Sequence, residues 1–362
     1  MQAKNLCFYL SDHGFGHIAR NIPLIAEAVR RIDGYVYVVC GKRHLEFAKA
    51  NLLEMLTPEQ FSRIRYRAEH TDIGLILQHG TLLVDTAALT DACAQYLAEL
   101  PERAKREAEW LHQQEIAAAL CDMPLWSISA CEQVGVPLLY VGNFTWTELY
   151  REFLPEHIWE AYAAEYRKIR HGTLYALHNP EMLEFLPRAE LSETSLVARP
   201  FHPDEIRAIR ARHTCPIVFV ALGMSAQFTQ PVSVEGVNAH FYVTEGVPLT
   251  GSNVTVIPYS TLHTQDYVAA ADYVITKAGW GTVAECLLAQ KPMALFARDS
   301  VLEDRTTIRL LEQKKLGIKV TYEQLTEMSD LLEQMKQITY PAVPEYHNAA
   351  AEIVSKLLTL TE

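Results

Sequence analysis

The sequence predicts an α/β protein with two doubly wound parallel sheets, and three observations lead to this prediction. Short apolar runs alternate with longer amphipathic runs, which is typical of buried strands separated by helices. The same alternation begins again in the second half of the chain. The length of 362 residues also exceeds the roughly 250–300 residues at which a single hydrophobic core usually stops growing. We therefore expect two α/β domains.

The first half of the chain alternates strand and helix from its start. Leu6–Leu10 is a short apolar run typical of a buried strand, and the apolar residues of Ile18–Ile32 recur at helical spacing. The other elements predicted here are strands at Tyr35–Cys40, Ala117–Cys121 and Pro137–Val141, and helices at Ala92–Gln113 and Pro124–Val134. This order favours one parallel sheet with helices on both faces.

The second half repeats this order after a proline-rich segment. Pro187–Pro203 holds three prolines, and we place the interdomain linker there. The predicted strands are Ile217–Leu222, Val254–Ile257, Tyr273–Thr276, Pro292–Phe296 and Gly317–Val320, and the predicted helices are Thr282–Ala289 and Asp304–Lys315. The expected domains are residues 1–195 and 196–345, followed by a C-terminal helix, 346–362, that could pack back onto either domain.

Composition and charge exclude several classes of function. The 32 Lys and Arg against 44 Asp and Glu give a net charge of −12, which disfavours nucleic-acid binding and docking on anionic membranes. Seven cysteines without a CxxC pair are typical of free thiols in a reducing cytoplasm. The N-terminus lacks the pattern of a signal peptide, and no apolar run approaches the roughly 20 residues of a membrane span. We expect a cytoplasmic protein, and the sequence does not decide its oligomeric state.

The first candidate site is the turn Ser11–Arg20, between the first strand and the first helix. Gly14 and Gly16 allow close approach to the backbone, and the start of a helix offers unpaired N–H groups. His17, at the start of this helix, is a candidate general base because imidazole titrates near neutral pH. The alternative is that His13 and His17 only cap the turn. The turn lacks the third glycine of a dinucleotide-binding fingerprint.

The second candidate site is the glycine turn after the strand Tyr273–Thr276. Gly279 and Gly281 expose the backbone and Thr282 is a good N-cap, so a pyrophosphate could bind here. Glu285, one turn into the helix, could accept two hydrogen bonds from a ribose diol. The alternative is an ordinary helix cap. A third and weaker signal is the small-residue turn after the strand Ile217–Leu222, in which Gly223 and Ser225 could approach a phosphate or a sugar.

Together these turns resemble those of nucleotide-sugar glycosyltransferases of the GT-B architecture. The segment from Ala271 to Glu285 looks like their donor-binding segment, and Leu222-Gly223-Met224-Ser225 matches their first donor-domain turn. The Gly16-His17 turn is similar to that of the family that adds N-acetylglucosamine to the peptidoglycan precursor. The glycosyltransferase-like half of L-arabinokinase is more similar, through the motifs His13-Gly14-Phe15-Gly16-His17, Cys121-Asp122-Met123-Pro124 and Val141-Gly142-Asn143-Phe144-Thr145-Trp146. Because the sequence ends at Glu362, we expect no sugar-kinase activity.

The resemblance implies two Rossmann-like domains facing a central cleft, with the acceptor on the first domain and the donor on the second. It implies a hexosyl or N-acetylhexosaminyl transfer from a nucleotide-diphosphate sugar, with a UDP-sugar as the expected donor, without metal or cofactor and with inversion. The catalytic residues would be His17 and Asp122, with Asp85 as the rival partner for His17. The remaining site residues that it implies are Gly223, Ser225, Tyr259, Gly279, Gly281, Thr282 and Glu285 for the donor, and His13, Gly14, Asn143, Thr145 and Trp146 for the acceptor.

Two other functions remain open on the same fold. A nucleotide-sugar hydrolase or epimerase is one, because the spacing Gly16-His17-x-x-Arg20 resembles that of a UDP-sugar hydrolase of pseudaminic acid biosynthesis. A protein that binds nucleotide sugars without catalysis is the other. The acidic charge leads us to expect a soluble acceptor of unknown identity.

Overall fold

The computed structural model describes residues 4–79, 83–187, 191–222, 230–298 and 301–362. The chain forms two compact units. The first comprises Met1–Leu77, Val84–Val197 and Asn348–Glu362, and the second comprises Gln78–Leu83 and Ala198–His347. The passage from Val197 to Ala198 lies within the proline-rich segment, and the C-terminal stretch belongs to the first unit.

The described strands of the first unit form a seven-stranded sheet in which all neighbours are parallel. The strands are β1 (Asn5–Leu10), β2 (Val36–Cys40), β3 (Ile64–Ala68), β4 (Ile116–Asp122), β5 (Leu138–Gly142), β6 (His171–Tyr175) and β7 (Leu191–Thr194). Their order across the sheet is β3-β2-β1-β4-β5-β6-β7. Strand β1 is central and almost fully buried, so it is a continuous apolar run in the sequence.

The helices of the first unit follow the strands and cover the sheet. They are α1 (Phe15–Arg31), α2 (Lys42–Met55), α3 (Pro58–Phe61), α4 (Thr86–Gln113), α5 (Leu125–Val134), α6 (Trp146–Tyr150) and α7 (Glu156–Tyr166). In α1 the apolar residues at helical spacing are buried, among them Ile18, Ile22, Ile25 and Val29. This helix begins three residues before the predicted start, so His17 lies inside its first turn.

The second unit has its own parallel sheet. Its described strands are β8 (Ile217–Ala221), β9 (Val232–Ser233), β10 (His240–Thr244), β11 (Leu249–Thr250), β12 (Val254–Ile257), β13 (Tyr273–Lys277), β14 (Met293–Phe296) and β15 (Gly317–Val320). Six of them pair in the order β12-β10-β8-β13-β14-β15, and β9 pairs with β11 separately. The predicted α/β class with parallel sheets is therefore confirmed.

The helices of the second unit are α8 (Pro203–Arg210), α9 (Thr264–Ala270), α10 (Trp280–Leu288), α11 (Leu302–Gln313), α12 (Tyr322–Thr326) and α13 (Met328–Met335). The last helix, α14 (Ala350–Thr359), packs on α1 and β4 of the first unit, where Arg31 donates a hydrogen bond to the Ser355 hydroxyl. Across the described ranges, no helix is both long and apolar enough to cross a bilayer.

Candidate functional site

His17 and Asp122 meet at the carboxyl edge of the first sheet. Strands β1 and β4 are neighbours, with Leu10 paired to Asp122, so the turn after β1 passes over the end of β4. His17 lies in the first turn of α1, which Gly14 precedes as N-cap in an extended conformation. The Nδ1 atom of His17 lies 2.8 Å from Oδ1 of Asp122. The register of two parallel strands thus brings together residues 105 positions apart.

Asp122 is fully buried, and donors occupy both of its carboxylate oxygens. Arg20 donates from Nε to Oδ2 at 2.8 Å and from Nη2 to Oδ1 at 2.5 Å. Asn21 donates from Nδ2 to Oδ2 at 2.7 Å. Residues three and four positions apart share a face of a helix, so His17, Arg20 and Asn21 reach the same carboxylate from α1.

The charges in this cluster fix its protonation. Burial alone would raise the pKa of Asp122, but the positive charge of Arg20 and the contact with His17 hold that pKa well below its ordinary range. Burial lowers the pKa of His17, and Arg20 lowers it further, against the opposing effect of Asp122. These directions of the two pKa values favour an ionised Asp122 and a neutral His17 at neutral pH.

The position of the His17 proton follows from its neighbours. Nδ1 lies 2.8 Å from the Asp122 carboxylate and 2.9 Å from Nη2 of Arg20. Nη2 of Arg20 already donates to Oδ1 of Asp122, whereas a lone pair on Nδ1 would face that ionised carboxylate, which is unfavourable, so we assign the proton to Nδ1. The lone pair then lies on Nε2, which accepts no hydrogen bond from the part of the chain that the structure describes. This is the state that a general base requires.

Asp85, the rival partner for His17, has a local role. It is the N-cap of α4 and accepts a hydrogen bond from the Ala88 N–H at 3.0 Å. The carboxylate that contacts His17 is that of Asp122.

The five residues expected on the acceptor side differ in accessibility. His13 is exposed and Gly14 is half-buried, both in the turn before α1. Asn143, Thr145 and Trp146 are all buried, with Trp146 only 2% exposed. Asn143 accepts a hydrogen bond from Arg20 at 3.3 Å, and Thr145 caps α6. The accessible part of this group is therefore the glycine turn, whereas the other three residues are buried.

Sequence reasoning missed Asp72, which connects the turns behind His17. It is buried and accepts hydrogen bonds from the Ser11 hydroxyl at 3.0 Å and from Nε1 of Trp146 at 2.7 Å. Burial, reinforced by the nearby Asp12 charge, raises the pKa of Asp72 to about 7. The hydrogen bond from Nε1 to Asp72 fixes the ring of Trp146, whose centroid lies 5.3 Å from that of the His13 ring. Asp72 follows β3, which the sequence analysis did not identify.

In the second unit, the glycine turn leads into α10 as expected, with one correction. The helix begins at Trp280 with Gly279 as its N-cap, so the expectation that Thr282 is the N-cap was wrong. Gly281 and Thr282 instead lie in the first turn, where N–H groups have no acceptor within the helix. Lys277, at the end of β13, lies beside this turn, and burial together with the Arg298 charge lowers its pKa. This edge of the sheet can receive an anion.

Glu285 lies in the middle of α10, and Arg199 donates hydrogen bonds to one of its two carboxylate oxygens. It is 6% exposed, and its Oε1 atom accepts hydrogen bonds from Nε and Nη2 of Arg199 at 3.3 and 3.0 Å. Tyr259, after β12, is 60% exposed, and its N–H donates to Glu245 at 3.2 Å. Gly223 and Ser225 lie outside the described residues. Within the described ranges, no three His, Cys, Asp or Glu side chains are placed to hold a metal ion.

Comparison with solved structures decides the fold. The chain aligns with Phytolacca americana UGT2, complexed with UDP-2-fluoro-glucose and pterostilbene, at a TM-score of 0.65 and 11% identity, covering 99% of this chain and 100% of that one. It aligns with the calicheamicin glycosyltransferase CalG4 at a TM-score of 0.62 and 14% identity, covering 100% of this chain and 94% of that one. The protein has the GT-B fold.

Two sequence matches accompany the GT-B fold. Residues 215–360 match the C-terminal domain of glycosyltransferase family 28. The chain is 24% identical to Arabidopsis thaliana L-arabinokinase over 343 residues, which is 88% of this chain. It spans 31% of that relative's length. The resemblance inferred from sequence motifs is confirmed, and the family match with the GT-B fold supports a glycosyltransferase that takes its sugar from a nucleotide sugar.

Proposed function

We propose that this protein is an inverting, metal-independent glycosyltransferase that moves a sugar from a nucleotide-diphosphate sugar, preferably a UDP-sugar, to an acceptor hydroxyl. The observation that carries the proposal is the contact between Nδ1 of His17 and the buried carboxylate of Asp122, at 2.8 Å. With the proton assigned to Nδ1, the lone pair lies on Nε2, which has no hydrogen-bond partner in the described structure. Asp122 could not serve as the base itself, because its oxygens are already engaged by donors.

The proposed chemistry is a single displacement. The acceptor hydroxyl gives its proton to Nε2 of His17 while its oxygen forms a bond to the anomeric carbon. The bond from that carbon to the diphosphate oxygen breaks, and the electron pair leaves with the diphosphate. Attack opposite the leaving group inverts the anomeric configuration. Asp122 stabilises the imidazolium that forms, as carboxylates do in catalytic triads.

The second unit would hold the donor. The N–H groups of Gly281 and Thr282, the start of α10 and the ammonium of Lys277 would stabilise charge on the leaving diphosphate. These preformed donors perform the task for which other enzymes use a metal ion, so we propose that none is required. Glu285 would bind the ribose. Tyr259 and Gly279 would border the nucleotide, and Gly223 and Ser225 remain the other residues proposed for the donor. A UDP-sugar is favoured because Phytolacca americana UGT2 has been solved with one.

The acceptor would reach His17 over the turn that contains His13 and Gly14. The buried residues Asn143, Thr145 and Trp146 would support that turn. A hexose or N-acetylhexosamine is the sugar that we propose for the donor. We also propose a cytoplasmic location, because all seven cysteines are free thiols and six of them are buried.

The first experiment identifies the donor. Thermal unfolding is measured with UDP, GDP, ADP and dTDP and with a sugar derivative of each. A ligand at about 100 times its Kd stabilises the folded state by about 2.7 kcal/mol, and we expect the largest shift for UDP and a UDP-sugar. No shift with any nucleotide would contradict the proposal.

The second experiment tests the base with the donor so identified. His17→Gln should lower turnover by about 10²–10⁴-fold, the usual contribution of a general base, with unchanged affinity for the nucleotide. The control is His112→Gln, at an exposed histidine of α4, which should retain wild-type turnover. Turnover of His17→Gln within a few-fold of wild type would refute the assignment.

Two further readings of the same assay separate the alternatives. Turnover should persist after exhaustive treatment with EDTA, and loss of turnover that Mg²⁺ restores would refute metal independence. Release of nucleoside diphosphate without any acceptor, at the rate of the best transfer, would instead assign a hydrolase. Tight binding of the nucleotide sugar without any product would assign a binding protein.

A further inference from the structure

Arg199, near the start of the second unit, makes an unusual set of contacts for a buried arginine. Arg199 is only 5% exposed to solvent. Nε and Nη2 both donate to the same oxygen of Glu285, Oε1, at 3.3 and 3.0 Å. Nη1 donates to the carbonyl of Leu262 at 2.8 Å, and Nη2 also donates to the hydroxyl of Thr264 at 3.0 Å. One guanidinium therefore contacts α10, Leu262 and the first residue of α9, Thr264.

The contact with Glu285 is asymmetric. An arginine that only neutralises a carboxylate usually donates two parallel hydrogen bonds, one to each oxygen. Here both hydrogen bonds go to Oε1, and none of the described residues donates to Oε2. The carboxylate is consequently fixed through one oxygen while the other keeps its capacity to accept hydrogen bonds.

We propose that Arg199 is a positioning residue that presents Oε2 of Glu285 to the ribose diol of the nucleotide, and thereby sets a preference for ribonucleotides over 2′-deoxyribonucleotides. The inference rests on the proposed function, which places a nucleotide on this unit. It goes beyond that proposal because it assigns a role to a residue that no sequence motif identified.

The other contacts of Arg199 explain why an arginine suits this role. Leu262 and Thr264 follow Tyr259, which we propose borders the nucleotide base. By holding Leu262 and Thr264 together with Glu285, Arg199 fixes the distance between the segment that borders the base and the carboxylate that binds the ribose. A lysine would supply the charge, but its single ammonium lacks the planar fork that reaches three partners at once.

The test compares the affinities of UDP and 2′-deoxy-UDP by titration calorimetry, with the GDP and ADP pairs measured in parallel. Wild type should bind the ribonucleotide about 10- to 100-fold more tightly, the effect of one charge-assisted hydrogen bond. Arg199→Met and Glu285→Gln should both reduce this ratio to within about three-fold. Arg199→Lys should give an intermediate ratio.

The ratio separates positioning from a merely structural role, because a smaller folded fraction weakens both nucleotides equally. The matched control is Arg210→Met, which removes another arginine that bonds a carboxylate of this unit, Asp272, and should leave the wild-type ratio. If Arg199→Met keeps the wild-type ratio while Glu285→Gln loses it, the inference is overturned and the nucleotide site stands. If wild type binds none of these nucleotides, the proposed function falls, and the inference with it.

Discussion

Each unit of the molecule pairs an arginine with a buried carboxylate. The two pairs differ in how many of the carboxylate oxygens accept hydrogen bonds from described residues. In the first unit, Arg20 and its neighbours occupy both oxygens of Asp122. In the second unit, Arg199 occupies one oxygen of Glu285 and leaves the other without a described donor.

This difference teaches that burial and pairing alone do not define the role of a carboxylate. A carboxylate whose oxygens are saturated cannot bind a ligand directly, so Asp122 can act only through the imidazole that it orients. A carboxylate held by one oxygen remains a hydrogen-bond acceptor, so Glu285 can contact a ligand itself. Both pairs join an arginine to a carboxylate, and we propose that the different geometry of the two arginines gives the two carboxylates different roles.

The largest expected effect follows from removing the saturated carboxylate. Asp122→Ala leaves the guanidinium of Arg20 buried without its counter-charge and should lower the free energy of unfolding by about 3–5 kcal/mol. Urea denaturation measures this loss. The control is Asp204→Ala, whose partner Arg207 and own side chain are both exposed, and which should leave stability unchanged. Equal stability of the two variants would show that the cluster around Asp122 is not a tight ion pair.

The second expected effect is on the pH dependence of turnover. A base must be neutral, so kcat/KM falls as pH decreases through the pKa of His17, which burial and Arg20 hold below the ordinary value of about 6.5. Arg20→Met removes the cation and should raise this pKa, so the acid limb of the profile moves to higher pH. The variant then loses more activity at pH 6 than at pH 8. An acid limb that does not move would contradict the proposed protonation state.

The third expected effect is on nucleotide affinity, which should depend on Glu285 and not on Asp122. Glu285→Ala should weaken nucleotide binding by about 1–3 kcal/mol, through the loss of charge-assisted hydrogen bonds to the ribose. Folded Asp122→Ala should bind the nucleotide as wild type does. Calorimetric titration of both variants measures the two affinities. If both variants lose affinity equally, the division of roles between the two carboxylates is wrong.

The smallest expected effect concerns the turn before His17. Gly16 lies in the first turn of α1, and a Cβ added there would meet no atom within 4 Å, so Gly16→Ala should leave the free energy of unfolding unchanged or raise it by up to about 1 kcal/mol. Its kcat/KM should still fall about ten-fold if the acceptor approaches the backbone there. Gly34→Ala is the structural contrast, because its Cβ would lie 2.1 Å from the Lys4 carbonyl oxygen and should destabilise the fold. Wild-type kcat/KM for Gly16→Ala would place the acceptor elsewhere.

The sequence predicted the α/β class and most of the interior strands, among them β1, β4, β8 and β13, because buried strands are continuous apolar runs. It did not predict β6 and β10, which also lie inside their sheets. It missed β3 because this strand lies at the edge of the sheet and carries Arg65 and Arg67, which interrupt the apolar pattern. Asp72 was missed for the same reason, since nothing marked it as following a strand. Edge strands have weaker sequence patterns than central ones.

The candidate site could be predicted in part. His17 was a candidate because it lies at a strand-to-helix turn, and the resemblance to GT-B glycosyltransferases implied Asp122 as its partner, with Asp85 as a rival. The roles of Arg20 and Arg199 could not be predicted, because the partners of a long charged side chain depend on distances that spacing along the chain does not contain. The structure places Arg20 against Asp122, a contact that the spacing Gly16-His17-x-x-Arg20 did not indicate.

The central claim is that His17 is a neutral base with its proton on Nδ1 and its lone pair on Nε2. The most direct measurement is a pH titration of the ¹⁵N-labelled histidine side chains by NMR, with His17→Gln to assign the signal. The account predicts a pKa below about 6.5 and the Nδ1–H tautomer at pH 7. A His17 that is protonated at pH 7, or that carries its proton on Nε2, would contradict the account.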